Sequence, residues 1–127
     1  MSASNGLTIL LTLKDRASFT ARWMNYANSV AFPFKVMIAD GGCDQRVPAM
    51  LSARGRFPNV DYEYIQYPYD TTYADYYAKI ANALSRVLTP FVAMADNDDF
   101  YIADTMIKAV EFLTANPDYV SCGGEGA

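Results

Sequence analysis

Phe91-Val92-Ala93-Met94-Ala95-Asp96-Asn97-Asp98-Asp99-Phe100 decides how the chain is read, because an uncharged apolar run there meets three carboxylates within four residues. The five apolar residues, entered through Thr89-Pro90, have the make-up of a short strand buried on both faces. The acids then stand at its carboxyl end, which is where open parallel α/β sheets bind their ligands. Two carboxylates about 4 Å apart repel by roughly 4 kcal/mol at an effective dielectric of about 20, a cost that a divalent cation removes. Oxygen-only ligands favour Mg2+ or Mn2+ over zinc. The plainer alternative is that Asp98 and Asp99 only open the next helix, where acids favour the positive end of the dipole.

Upstream, Leu7 to Leu13 is nearly continuous apolar and β-prone, the pattern of a central parallel strand, and it breaks at Lys14-Asp15-Arg16. From Ser18, the expected N-cap, Phe19, Trp23, Tyr26, Ala27 and Val30 recur at helical spacing. Phe34 to Ala39 predicts a second buried strand, entered through Pro33 and left through the turn Asp40-Gly41-Gly42. Asp40 therefore also stands at a strand's carboxyl end, unless it only bonds its own backbone in the turn. A short helix with Val47, Met50 and Leu51 inward follows, stopping near Gly55 and Pro58.

Val60 to Gln66 alternates apolar and polar residues, which predicts a half-exposed strand near an edge. Tyr67 to Thr72 is a tyrosine-rich loop with Pro68 and Asp70. The next helix carries Tyr76, Tyr77, Ile80, Ala81, Leu84, Val87 and Leu88, a wide apolar face. Beyond the acids, a helix from about Asp104 turns Met106, Ile107, Val110 and Leu113 inward and closes at Asn116-Pro117. Tyr119-Val120-Ser121-Cys122 begins a fifth strand. The order β-α-β-α-β-α-β-α-β predicts a three-layer α/β/α domain with a mostly parallel sheet over 7-123, after a tail at 1-6 and before a truncated end at 124-127.

Composition narrows the chemistry. With 127 residues the chain is expected to be one domain, and a hydrophobic content of 52% excludes a disordered one. A net charge of -4 without a long basic run argues against a nucleic-acid surface, since ten tyrosines cannot stack bases usefully without cations to neutralise the phosphates. No signal peptide and no apolar run of about 18 residues is present, so a cytoplasmic protein with no transmembrane segment is expected, at most peripheral to a membrane within a longer parent. The absence of histidine removes histidine-dependent triads and histidine-ligated zinc together. Cys43 and Cys122 lack metal-ligand spacing and are expected to be free thiols. Neither G-x-G-x-x-G nor G-x-x-x-x-G-K-[ST] occurs, and the lysine a response regulator needs near its fifth strand is missing.

The placement of Asp40, the Asp96-Asn97-Asp98-Asp99 cluster and the strand order together resemble the nucleotide-binding half of the GT-A fold, specifically the family 2 glycosyltransferases, over about Leu7 to Gly123. The resemblance implies that Asp40 hydrogen-bonds a uracil and that Asp96-Asn97-Asp98 is the D-x-D motif. By the same match, Asp98 is the direct ligand of Mn2+ or Mg2+, Asp96 reaches the ribose or a metal-bound water, and Asp99 is supporting. Relatives carry a basic residue and an R-N pair in the helix before the D-x-D, near the diphosphate; Lys79 and Asn82 are the residues here that fit.

The implied function is the donor-binding portion of a metal-dependent glycosyltransferase, moving a sugar from a nucleoside-diphosphate sugar, expected to be a UDP-sugar, to a hydroxyl of a saccharide or lipid acceptor with inversion. The general base is expected from residues after Ala127, so the chain alone is expected not to transfer sugar. A nucleotidyltransferase, a nucleotide-binding module without turnover and an interaction domain are the alternatives.

Overall fold

Seven consecutive buried residues, Leu7–Leu13, form β1, and the rest of the domain is laid around them. The structure is a computed structural model that describes residues 6–53, 55–96, 103–116 and 118. In chain order β1 is followed by α1 (Ala17–Ser29), β2 (Lys35–Asp40), α2 (Arg46–Ser52), β3 (Tyr62–Gln66), α3 (Tyr73–Ser85), β4 (Phe91–Asp96) and α4 (Ala103–Ala115). The strands form one parallel sheet in the order β3-β2-β1-β4.

Alternation along β1 divides the core between the two faces of the sheet, because successive side chains of a strand point to opposite sides. Leu7, Ile9, Leu11 and Leu13 pack with Trp23, Met24 and Ala27 of α1, with Val47, Met50 and Leu51 of α2, and with Met106, Ile107 and Val110 of α4. Leu10 joins Met37 and Ala39 of β2 under Ala83 and Ile80 of α3. Helices thus cover both faces, an arrangement compatible with the expected three-layer α/β/α architecture. No helix among the described residues is long and apolar enough to cross a membrane.

The strand expected to be half-exposed or near an edge is borne out, since β3 is outermost among the described strands, although it starts at Tyr62 rather than Val60. Val60 instead belongs to a turn in which its N–H donates to the Phe57 carbonyl. Asp40, expected just after the second strand, is the last residue of β2. The expected fifth strand at Tyr119 to Cys122 lies outside the described residues.

Two expectations for the helices are corrected. Ser18 is not the N-cap of α1: the helix begins at Ala17, and Arg16 takes the cap position with φ 60 and ψ 53 and no side-chain cap. Asp15 before it also has a positive φ, 64. Two left-handed residues in a row turn the chain sharply out of β1 and start the helix early, and the Asp15 carboxylate holds that turn by accepting the N–H groups of Cys43 at 2.8 Å and Asp44 at 3.0 Å.

The second correction is α3, whose wide apolar face is largely in solvent: Tyr77 is 64% and Leu84 38% exposed, and Leu88, just past the helix, 92%. Its fully buried positions are Ala83 and, unexpectedly, Lys79. A helix touching a sheet along one narrow stripe buries only that stripe, so the flanking apolar residues face outward. The N-terminus of α3 is fixed by a capping box: the Thr72 hydroxyl accepts the Asp75 N–H, and the Asp75 carboxylate accepts the Thr72 N–H.

Candidate functional site

The parallel register aligns the carboxyl ends of three strands. Leu13 of β1 pairs with Asp40 of β2, and Thr12 of β1 pairs with Asp96 of β4. The two acids singled out from the sequence therefore flank the end of the central strand, two strand spacings or about 10 Å apart. Asn97, Asp98 and Asp99 lie outside the described residues, and only the backbone of Asp96 is described.

A cleft of about 490 Å³ opens at this end of the sheet. One wall is the end of β1 and the turn after it, Thr12, Leu13, Lys14 and Arg16; the other is the loop before α3 and its first two turns, from Asp70 to Lys79. The cleft exists because the β3–α3 loop is tied back over the strand ends, with the Tyr67 N–H donating to the Asp40 carbonyl at 2.7 Å and the Asp70 N–H to the Gly41 carbonyl at 2.8 Å.

Asp40 is 2% exposed and already engaged. Its Oδ1 accepts the Gly42 N–H at 2.8 Å, and its Oδ2 accepts the Tyr64 hydroxyl at 2.5 Å. Burial, together with the hydrogen bond to Asp40, pushes the Tyr64 phenol well above its ordinary value, so it stays a donor. Asp40 does stand at a strand's carboxyl end, but as a buried acceptor that pins β3 and the following turn to the end of β2. Two of the roughly four acceptor sites of a carboxylate remain, so a contact to a base is chemically allowed but not presented at the cleft surface.

Lys79, which the resemblance sets beside a diphosphate, is buried as well. It reaches the cleft wall, yet is 3% exposed. Its ammonium donates to Asp70 Oδ2 at 2.6 Å and to the Leu13 carbonyl at 3.2 Å. Asp70 in turn rests on Gly41, where a Cβ would come within 2.2 Å of Oδ2. Its other oxygen, Oδ1, is buried with no hydrogen-bond partner. Asn82 is exposed on the far side of Lys79, against a smaller cavity of about 260 Å³. There it accepts the Tyr67 hydroxyl at 2.6 Å and the Arg86 Nε at 3.1 Å, and it does not line the larger cleft.

Asp70, Lys14 and Arg16 are the charged residues of the cleft that no motif marked. The available signal was indirect: a glycine pair after β2 leaves room for a neighbouring side chain, and the charged triplet Lys14-Asp15-Arg16 falls at the same sheet end as the acids. Among the described residues no three metal-ligating side chains cluster. No protein-family model matches the sequence, and no curated protein shows significant similarity to it.

Proposed function

We propose that the chain is the donor-binding portion of a metal-dependent, GT-A-like glycosyltransferase that takes a nucleoside-diphosphate sugar, in the first instance a UDP-sugar. The observation that carries this reading is the cleft at the carboxyl end of β1, on either side of which Asp40, buried below the cleft surface, and Asp96 close the neighbouring strands. Their separation suits a nucleoside lying across the strand ends, its base toward β2 and its phosphates toward β4. Fold position favours a ligand here on general grounds, because strand carboxyl ends of parallel sheets are binding edges.

Asp96 and Asp98 are the residues that would hold Mn2+ or Mg2+. Their donors are oxygens only, which suits these hard cations, and Asp96 closes β4 at the same end as the cleft. When bound, the metal offsets negative charge on the departing nucleoside diphosphate. The residues of this chain orient the donor: β1 and the β3–α3 loop enclose it, and the Lys79–Asp70 pair keeps the loop closed over the strand ends.

A thermal-shift panel of nucleoside diphosphates and nucleotide sugars, run with Mn2+, with Mg2+ and with chelator, tests the reading. At ligand near 100 times Kd, UDP with Mn2+ should stabilise the fold by about 2.7 kcal/mol, and chelator should abolish most of that. A shift no larger than inorganic phosphate gives would remove the nucleotide site from consideration.

A further inference from the structure

The cleft has several positive groups on its walls, and most are already engaged. Lys79 is bound to Asp70 and to the Leu13 carbonyl. The backbone N–H groups at the start of α3 are taken up as well, those of Thr71 and Thr72 by the Asp75 carboxylate and that of Asp75 by the Thr72 hydroxyl. Lys14 and Arg16 remain. Both line the cleft, both are exposed, and neither has a carboxylate within salt-bridge distance among the described residues. Among the described residues each is held by an aromatic ring, Lys14 at 4.8 Å from the centre of Tyr69 and Arg16 at 5.1 Å from that of Phe19. Such contacts at an exposed site are weak and are readily exchanged for an anion.

The backbone adds an independent observation. Asp15 and Arg16 both sit in the left-handed region, an arrangement that non-glycine residues adopt at a cost. It is maintained by the Asp15 carboxylate on the next loop. It is also closely confined, since a Cβ at Gly42 would approach the Asp15 nitrogen to 2.3 Å. The fold thus holds a strained turn in place, and that turn carries to the lip of the cleft two cations without ion-pair partners among the described residues.

We infer that Lys14 and Arg16, rather than Lys79, hold the anionic part of the ligand, gripping a diphosphate at the β1 lip of the cleft. The diphosphate, as opposed to another polyanion, rests on the nucleotide-sugar reading; the two residues are assigned by the charges and contacts in the cleft. Lys79 is then a positioning residue, closing the loop that forms the opposite wall.

The test is calorimetric titration of the intact chain and of Lys14→Gln, Arg16→Gly and the double variant with UDP, uridine and inorganic pyrophosphate, at fixed Mn2+. Glycine accommodates the backbone of residue 16 without strain, so the melting temperature of Arg16→Gly checks folding directly. Each single substitution should weaken UDP and pyrophosphate about ten-fold, as expected for loss of one charge-assisted contact, and leave uridine unchanged. Variants that bind both phosphates like the parent chain would overturn the inference. Parent binding of pyrophosphate but not UDP, lost in the variants, would uphold it while removing the nucleotide-sugar reading. Absence of binding of either phosphate by the parent would overturn both.

Discussion

Lys79 Nζ lies 2.6 Å from Asp70 Oδ2, with 2% and 6% of the two side chains exposed. Three segments meet at that contact: α3 through Lys79, the β3–α3 loop through Asp70, and β1 through the Leu13 carbonyl. Removing one charge strands the other, at a typical cost of about 3–5 kcal/mol, whereas removing both does not. Lys79→Met should therefore lower the urea midpoint strongly, and Asp70→Asn combined with Lys79→Met should recover much of the loss. Equal stability of Lys79→Met and the parent chain would mean that the pair is open to water.

Gly41 and Asp70 should be coupled. A Cβ on residue 41 overlaps the Asp70 carboxylate, which is short, buried and tied to Lys79, so it cannot simply swing aside. Gly41→Ala is expected to destabilise by about 1–3 kcal/mol, the usual range for overpacking. In an Asp70→Ala background the same change should cost far less. A double-mutant cycle in urea measures the difference, and strict additivity would rule out the contact.

Tyr64→Phe removes the donor to Asp40 Oδ2 and leaves a buried carboxylate oxygen unsatisfied, a loss of about 1–3 kcal/mol at neutral pH. The folded-state pKa of Tyr64 is raised, by burial first and then by Asp40, so its stabilisation is fully present below the unfolded value of about 10 and is lost as pH rises through the folded one. The gap between the parent chain and Tyr64→Phe should accordingly be constant from pH 7 to 9 and narrow above pH of about 10. A gap that widens with alkali would contradict the geometry.

The end of α1 offers a stabilising change. Ala31 has φ 48 in a Schellman arrangement, in which the Phe32 N–H donates to the Ala27 carbonyl at 2.9 Å and the Ala31 N–H to the Asn28 carbonyl at 3.2 Å. Glycine is the residue this conformation favours, so Ala31→Gly should raise stability by about 0.5–1 kcal/mol with an unchanged denaturant slope. A lower midpoint would show that the contacts of the Ala31 methyl outweigh the strain.

The sheet was legible because buried parallel strands advertise themselves: Leu7 to Leu13 is apolar at nearly every position, and Asp40 ends a second such run. Phe91 to Ala95 is as apolar and does form β4, but its expected burial on both faces is corrected: β4 is last in the strand order among the described residues, and Val92 and Met94 on one of its faces are 39% and 42% exposed. The edge strand was legible for the converse reason, its alternation. The burial of Lys79 was not legible because a lysine on a helix is ordinarily a surface residue, and only the loop geometry that brings Asp70 beneath it supplies a reason to bury it. The start of α1 was missed because serine is the better cap by chemistry, while the left-handed pair at Asp15 and Arg16 depends on partners at Cys43 and Asp44 that no local pattern announces. Local preference specifies elements; contacts between distant loops specify what the side chains at their ends are able to do.

The central position of β1 also sets an order of assembly. Thr8 and Thr89 share a hydrogen bond across 81 residues of chain, and on that side β1 has no partner until β4 arrives. At about 5–20 residues per second, a ribosome takes roughly 4 to 16 s to deliver β4 after β1. Through that interval a largely apolar strand has one unpaired edge, the kind of surface that nascent chains aggregate through and chaperones recognise. The parallel arrangement that brings the acids to one end of the sheet thus makes this domain a late-closing one during synthesis.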